Sequence, residues 1–311
     1  MIVRLTDAWQ DILARRAANT QSGPYPEPVS HLLGEMAAAS VLMQGNIKFN
    51  GALVLQIMGD GPLKLAVVEV QPDFSLRATA TLTGEIADDA SLSHMVNVNK
   101  LGRCAITLDP LDRLPGQQPY QGVVPLFDDH HKPIEHIAEV LEHYMLQSEQ
   151  LDTVLVLAAD NQVAAGLLIQ RLPVEGEGNL AGQDSVAREA ELGRSEDYNR
   201  IAILTKSLKR EELLTLDVDT ILRRLFWEEP LVRFEPLAGE TAPHFACRCS
   251  RERVSQMIRS LGVEEADSII AEQGQIEVAC EFCGQQYRFD PIDAAGIFTR
   301  LATDTPGSAL H

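Results

Sequence analysis

The sequence predicts an α+β fold of roughly two domains, on three observations. The chain has 311 residues, about twice the length of an average domain. Hydrophobic residues make up 45% of it and charged residues 23%, which is the composition of a globular protein with a substantial core. Segments with helical and with strand-like periodicity alternate, without the regular strand–helix–strand order of a doubly wound sheet.

Residues 1–180 are predicted to form the first compact domain, which begins with two helices. Apolar residues recur at helical spacing over residues 5–17 and 31–43, and three prolines lie in the turn between them. A further helix is predicted over residues 133–147, where apolar side chains share one face.

The same domain is predicted to contain a sheet, because short apolar runs are bounded by turn-forming residues. The turn Gly59-Asp60-Gly61-Pro62 predicts that the first two runs form a β-hairpin. Cys104 lies at an alternating position of a later run, so we expect a buried core thiol rather than a redox-active one. The predicted strands span residues 52–58, 63–70, 76–82, 104–108, 121–126, 154–158 and 166–172.

A change of composition near residue 174 predicts the end of this domain. Residues 174–185 are rich in glycine and acidic residues and lack aromatic residues, which is typical of a flexible linker. The charged sequence that follows has two apolar stripes at helical spacing, and such short helices need a partner surface, either the first domain or another molecule. Roughly the last ten residues are predicted to be a frayed tail. The stripes consist of Ile201, Leu204 and Leu208, and of Val218, Leu222, Leu225 and Phe226.

The net charge of −19 disfavours several classes of partner. A strongly acidic chain is repelled by the phosphates of nucleic acids and by anionic membrane surfaces, unless it has a local basic patch. Arg4 and Asp7 interrupt the apolar core that a signal peptide needs, and no stretch has the length of a membrane-spanning helix. We therefore expect a soluble, cytoplasmic protein that binds neither nucleic acid nor membranes.

Four of the five cysteines form two close pairs, Cys247-x-Cys249 and Cys280-x-x-Cys283, with thirty residues between the pairs. Permanent disulfides are unusual in the cytosol, so metal or redox chemistry is the expected role of such pairs. Two pairs brought side by side complete a tetrahedral site, and we predict that all four cysteines bind one Zn²⁺ per chain. Metal binding would supply much of the folding energy of so small a domain.

The Cys-x-Cys half is unusual, since structural zinc sites commonly separate paired cysteines by about two to four residues. One intervening residue is cramped for a relaxed chelate loop, and it also places two thiols where a short-loop disulfide can form. Zinc-bound thiolates are the form that oxidants attack. The site could therefore act as a switch that loses its metal and unfolds, or it could be purely structural.

Two other classes of function compete with a zinc–thiol switch. One is a zinc ribbon that binds nucleic acid or a partner protein, but residues 247–290 carry more acidic than basic side chains, and four thiolates with one Zn²⁺ add negative charge. The other is an enzyme with a structural zinc. A full set of four cysteine ligands leaves no open catalytic position, and the glycine motifs of phosphate-binding loops and nucleophile elbows are absent from the sequence. We therefore do not expect an enzyme.

The surroundings of the cysteines closely resemble the redox-switch domain of the bacterial redox-regulated heat-shock chaperones, the 33-kilodalton chaperonin family. The hallmark of that family is Cys-x-Cys, about thirty residues and then Cys-x-x-Cys, as here. Further segments across the chain also look like family signatures. The resembling segments are residues 245–253, 269–283 and 287–289 around the cysteines, and 59–62, 120–124, 148–151 and 212–216 elsewhere.

The resemblance implies a chaperone that holds unfolding client proteins without ATP. Its reduced, zinc-bound form would be inactive; oxidation would form the disulfides Cys247–Cys249 and Cys280–Cys283, release zinc, unfold a linker and allow homodimers to form. It also implies three segments: a core of residues 1–180 with sheets packed around a helix, a metastable helical linker of residues 181–243, and a zinc-binding redox-switch domain of residues 244–311. Residues 128–132 and 189–199 look longer than the family pattern, and the second insertion bears on the stability of the linker.

Overall fold

The structure, a computed structural model, describes residues 1–19, 22–114, 116–171, 185–232, 238–239 and 242–299. Within these residues, helices combine with sheets in which all strand pairs but one are antiparallel, without a doubly wound order, which confirms the predicted α+β class. Residues 174–184 of the predicted flexible linker and the predicted tail after residue 300 lie outside the described residues. None of the described helices has the length and apolar character that a membrane crossing requires.

The described residues form eleven strands and ten helices. The strands are β1 (Ile2–Leu5), β2 (Gly51–Met58), β3 (Leu63–Val70), β4 (Ser75–Leu82), β5 (Arg103–Pro110), β6 (Tyr120–Pro125), β7 (Thr153–Ala159), β8 (Ala164–Gln170), β9 (His244–Phe245), β10 (Ile276–Ala279) and β11 (Gln286–Phe289). The helices are α1 (Asp7–Ala17), α2 (Glu27–Asn46), α3 (Leu92–Val96), α4 (Ile137–Glu149), α5 (Ser185–Lys206), α6 (Arg210–Thr215), α7 (Val218–Phe226), α8 (Arg251–Leu261), α9 (Val263–Gln273) and α10 (Pro291–Thr299).

The core is built around helix α2, which packs against strands of two sheets. One sheet has the strand order β6-β5-β2-β3-β4-β9, and the other has the order β1-β8-β7. Most positions of α2 are buried, because its sequence is apolar on every side rather than along one stripe. Gly34 allows a close approach, since a Cβ there would lie 2.5 Å from that of Ala159 and 3.0 Å from the indole of Trp9. The implied arrangement of sheets around a helix is thus confirmed.

The predicted turn joins β2 and β3 as an antiparallel hairpin. A Cβ at Gly59 would lie 2.0 Å from the carbonyl oxygen of Leu63, so the turn requires glycine. The carboxylate of Asp60 accepts hydrogen bonds of 2.9 Å from the backbone N–H groups of Asn99 and Leu101. The turn therefore also positions the loop that precedes β5.

Two helices begin later than the sequence predicts. The first residues of the predicted helix 5–17 are not helical: residues 2–5 form β1, which pairs with β8, and the helix begins at Asp7. Such a short strand gives no periodic signal of its own, and its partner lies at the far end of the domain. The helix predicted over 133–147 begins at Ile137, because Pro133 instead forms a β-bridge with Phe127.

Helices α5 and α6 pack on β7 and β8, and α7 packs on α5. The first domain thus supplies the partner surface that the apolar stripes require. Both faces of the layer formed by β7 and β8 are therefore covered. On one face Leu155 packs in the core around α2, and on the other Leu167 packs in the cluster beneath α5, α6 and α7, the linker helices. In α7, the predicted stripe includes Val218, which is only half-buried. The fully buried residue is instead Ile221, which is not part of that stripe.

The C-terminal module, residues 244–299, has a small core of its own and is joined to the main sheet through β9. Its hairpin β10–β11 is antiparallel and is surrounded by α8, α9 and α10. Its first strand pairs in parallel with β4, with Ser75 opposite His244 and Leu76 opposite Phe245. The buried apolar residues of the module are Val254, Ile258, Ala266, Ile276, Phe289, Ala294 and Ile297.

Candidate metal centre

The four paired cysteines lie on two short segments that face each other. Cys247 and Cys249 lie between β9 and the start of α8. Helix α8 is capped by Ser250, whose side chain accepts a hydrogen bond from the backbone N–H of Arg253. The other pair lies in the turn between β10 and β11. The backbone N–H of Gly284 donates to the carbonyl of Cys280 at 2.8 Å, and the φ of +73° at this residue favours glycine.

The sulfur positions fit a tetrahedral metal site. Cys247 Sγ lies 3.6 Å from Cys280 Sγ, and Cys249 Sγ lies 3.4 Å from Cys283 Sγ. All four sulfurs lie within 4.8 Å of one another. A Zn–S bond of about 2.3 Å with tetrahedral angles places ligand sulfurs about 3.8 Å apart, within this range. In the part of the chain that the structure describes, no other group of three or more metal-ligating side chains converges in this way.

The thiols of this cluster do not titrate alike. For Cys247, burial disfavours the thiolate, but hydrogen bonds from the backbone and thiol of Cys249 and from the other two thiols outweigh it and lower its pKa to about 7. For Cys283, burial and the hydrogen bonds to Cys249 and Cys247 raise the pKa well above its usual range. Burial also raises the pKa of Cys280. These surroundings therefore favour the thiolate at Cys247 and the neutral thiol at Cys280 and Cys283.

Two side chains that the sequence analysis did not assign to the cluster approach its sulfurs. The Tyr287 hydroxyl donates a hydrogen bond to Cys249 Sγ at 3.1 Å. The guanidinium of Arg77 on β4 lies 4.0 Å from Cys247 Sγ. Tyr287 stands close to the second pair in sequence, whereas Arg77 is 170 residues from Cys247, and no local pattern links the two.

The fifth cysteine is separate from the cluster. Cys104 is fully buried on β5, as predicted, and burial raises the pKa of its thiol to about 12. A thiol so protected from solvent and so hard to ionise is a poor nucleophile and a poor metal ligand. All five cysteines are free thiols in the structure.

Comparisons with known proteins agree with the fold and the cluster. The family model of the Hsp33 protein matches residues 1–290. The chain is 44% identical over 310 residues to the 33 kDa chaperonin of Chromobacterium violaceum, covering 100% of this chain and 92% of that protein. It is 42% identical over 299 residues to the 33 kDa chaperonin of Methylobacillus flagellatus, covering 96% and 89%.

A solved structure is also similar. The crystal structure of the 33 kDa chaperonin (heat shock protein 33 homolog) of Thermotoga maritima superimposes with a TM-score of 0.71 at 21% identity, over 97% of this chain and 94% of that one. At this identity the likeness supports the fold alone. The family model and the two relatives match nearly the whole chain, and the relatives' name, 33 kDa chaperonin, indicates no catalytic activity. The resemblance seen in the sequence is confirmed: the chain belongs to the Hsp33 family of chaperones, and its four clustered cysteines are able to hold a metal ion.

Proposed function

We propose that this chain is a redox-regulated holdase, which binds unfolding client proteins without ATP when oxidants have removed its metal. The observation that carries the proposal is the convergence of four cysteine sulfurs, two from each pair, in a module that has little other core. Membership of a chaperone family supplies the client class, which is unfolded or partly unfolded proteins.

Zinc is the metal that the donor set favours. Four thiolates are soft ligands, and a tetrahedral all-cysteine set is typical of structural zinc. We assign Cys247, Cys249, Cys280 and Cys283 as its ligands, with one Zn²⁺ per reduced chain. When bound, such an ion can contribute about 10–16 kcal/mol to folding, which a module with so few buried residues would lose on release.

Oxidation would convert the ligands into two disulfides. In each, two thiolates lose two electrons as one S–S bond forms, and one hydrogen peroxide molecule takes those electrons and two protons to give two molecules of water. We propose the pairing Cys247–Cys249 and Cys280–Cys283. The sulfur contacts of 3.6 and 3.4 Å join one cysteine of each pair, so these disulfides would replace contacts between the pairs with bonds within them.

Three segments of the chain would link oxidation of the cysteines to client binding. We propose a core of residues 1–180, a metastable linker of residues 181–243 and a redox-switch domain of residues 244–311. The described linker helices cover an apolar face of the three-stranded sheet, to which Val163, Ala165 and Leu167 contribute. Unfolding of the linker would expose this face to clients, and the net charge of −19 would keep the complexes in solution.

The proposal includes the cellular setting and the assembly. We place the protein in the cytoplasm, where thiols stay reduced until oxidative stress. We expect a homodimer in the oxidised state, and we expect no nucleic-acid or membrane partner because both surfaces are anionic.

The direct test is light scattering from a heat-aggregating client protein. The chain is added either reduced and loaded with zinc, or after peroxide treatment at elevated temperature, with released zinc measured in parallel. Suppression by the oxidised form alone is the expected result. Suppression by both forms would mean a constitutive chaperone with a structural metal, and suppression by neither would refute the holdase proposal.

A Cys280→Ser variant tests the ligand set in the same assay. It should bind zinc more weakly and open its linker at a lower temperature, because a serine hydroxyl is a poor replacement for a thiolate ligand. Cys104→Ser, outside the cluster, is the matched control. Unchanged zinc content in Cys280→Ser would contradict the assignment.

A further inference from the structure

The candidate metal centre lies against a pair of charged side chains from the main sheet. Glu69 on β3 and Arg77 on β4 are directly opposite each other in the strand register, so they form a cross-strand ion pair. Their side chains are only 10% and 18% exposed, which makes this a largely desolvated pair. It stands on the part of the sheet that the C-terminal module covers.

The ion pair orients the arginine toward the cluster. Nε and Nη2 of Arg77 both donate to Oε2 of Glu69, at 3.0 and 2.6 Å. This leaves Nη1, which lies 4.0 Å from Cys247 Sγ. The guanidinium also stacks on the ring of Phe282, 4.2 Å from its centroid. With one edge bound by a carboxylate and one face bound by an aromatic ring, the guanidinium has little freedom to turn away from the sulfur.

A second arginine joins the same carboxylate from the module. Arg248, the residue between the two cysteines of the first pair, donates to Oε1 of Glu69. Gln71 donates to the same oxygen at 2.7 Å. Of the two arginines on Glu69, Arg77 has the contact with a sulfur, whereas Arg248 ties the Cys-x-Cys segment to the sheet.

The charge of the centre changes with its state. Four thiolates around one divalent ion carry a net charge of −2, whereas two disulfides without a metal carry none. The glutamate and two arginines together carry a net charge of +1. Because Glu69 and Arg77 are largely shielded from water, the attraction of Arg77 to the anionic centre is stronger than it would be between fully exposed groups. The attraction disappears when the centre is oxidised.

We propose that Arg77 is a positioning residue for the metal centre. Through its contact with Cys247, Arg77 stabilises the anionic metal–thiolate state and so couples the main sheet to the redox state of the module. The proposal rests on the assignment of the four cysteines as zinc ligands. Its consequence is that the core domain contributes directly to metal affinity, although it supplies none of the ligands.

The test measures zinc affinity of the full-length reduced chain by competition with a chromophoric chelator. Residues outside the ligand set that contact metal ligands typically change affinity by about 10–100-fold when replaced. We expect a loss in this range for Arg77→Met and a smaller loss for Arg77→Lys, because lysine keeps the charge but not the planar fork. Arg103→Met, on β5 of the same sheet, is the matched control and should bind zinc normally.

Cobalt substitution supplies a spectroscopic readout that docking alone would not change. Positive charge near a thiolate lowers the energy of the sulfur lone pairs, so its removal should shift the sulfur-to-cobalt charge-transfer band of Arg77→Met to longer wavelength. Arg248→Met should leave this band in place, since its contact is with Glu69 rather than with a sulfur. Circular dichroism establishes that each variant is folded, and Arg77→Gln replaces Arg77→Met should the latter fail to fold.

Each outcome is decisive. Wild-type affinity and an unshifted band in the neutral variant would overturn the role of Arg77. Equal losses in Arg77→Lys, Arg77→Met and Arg248→Met would also overturn it, since they would indicate docking rather than charge. Failure of the wild-type chain to bind zinc would instead refute the proposed function.

Discussion

A buried carboxylate beneath the linker makes the stability of the folded chain sensitive to pH. Glu35 on α2 is 19% exposed, and its Oε1 lies 3.3 Å from Nη1 of Arg210, the first residue of α6. Arg210 also donates to the backbone carbonyl of Ala159. Burial raises the pKa of Glu35 from 4.5 to about 7, although the charge of Arg210 and its hydrogen bond oppose that rise. The docked linker therefore favours the protonated acid.

The magnitude and the sign follow from this pKa. A rise from 4.5 to about 7 corresponds to about 3 kcal/mol, at about 1.4 kcal/mol for each pKa unit. Because the folded state has the higher pKa, this stabilisation is complete below pH 4.5 and is lost as the pH rises through 7. We expect the folded chain to be less stable at pH 8 than at pH 5 by up to about 3 kcal/mol from this group.

Neighbouring charges require a comparison with a variant rather than a single pH profile. Glu27 and His31 lie on the same helix as Glu35, and Asp160 lies in the turn after β7. Burial and the charge of Arg210 lower the pKa of His31, so its protonation destabilises the folded state at acidic pH, opposite in sign to Glu35. The difference between the wild type and Glu35→Gln removes the contributions that the two chains share.

The assay is urea unfolding of the reduced, metal-loaded chain at several pH values from 5 to 8. Glu35→Gln should be more stable than the wild type at pH 8 and similar at pH 5, because a neutral amide resembles the protonated acid. Glu27→Gln, with a side chain 67% exposed, is the matched control and should follow the wild type. A pH-independent difference between Glu35→Gln and the wild type would refute the reasoning.

Three further substitutions test other parts of the structure. Leu213→Ala removes a fully buried side chain of the linker, which should lower the free energy of unfolding by about 2–5 kcal/mol and lower the temperature at which the linker becomes protease-sensitive. Ile203→Ala, at a position 70% exposed, is the control and should leave that temperature unchanged. Gly122→Ala would place a Cβ 2.4 Å from the ring of Tyr144 and should destabilise the first domain by about 1–3 kcal/mol in urea unfolding, whereas an unchanged midpoint would contradict the close packing. Cys104→Ala should leave zinc content and the number of oxidisable thiol pairs unchanged, as thiol titration can check.

The parts of the fold that the sequence predicts are those with a local signal. The alternating run over 63–70 matches β3 at both ends, and the glycine-rich turn before it forms the hairpin as expected. The long central helix is predicted over residues 31–43, several residues shorter at each end than α2. Its predicted start is late because the prolines before it indicate a turn, whereas Pro28 lies within the first turn of the helix. Strand β1 is not predicted, since four residues give no periodicity without their partner.

The candidate site divides in the same way. The cysteines are predictable because their spacing within each pair is a local pattern, and the pairing of the two segments follows from chemistry. The contact of Glu69 and Arg77 with the site is not predictable from the sequence. Each is a charged residue within a predicted strand, and such residues usually lie on a solvent-exposed face of a sheet. Only the docking of the module on β4 changes the environment of this ion pair from water to protein.

Under the proposed mechanism, the contacts that hold the linker predict that client binding needs two signals, an oxidant and heat. The guanidinium of Arg4 on β1 donates to the backbone carbonyls of Leu213, Leu214 and Leu216, at 2.6, 2.8 and 3.0 Å, at the end of α6. These contacts, and the apolar cluster beneath them, join the linker to the first domain without involving the metal module. Oxidation of the cysteines would therefore release the module but leave α6 docked. Because short helices are marginal without their packing partners, we expect moderate heating to undock them, so that the proposed client binding would require both oxidant and heat.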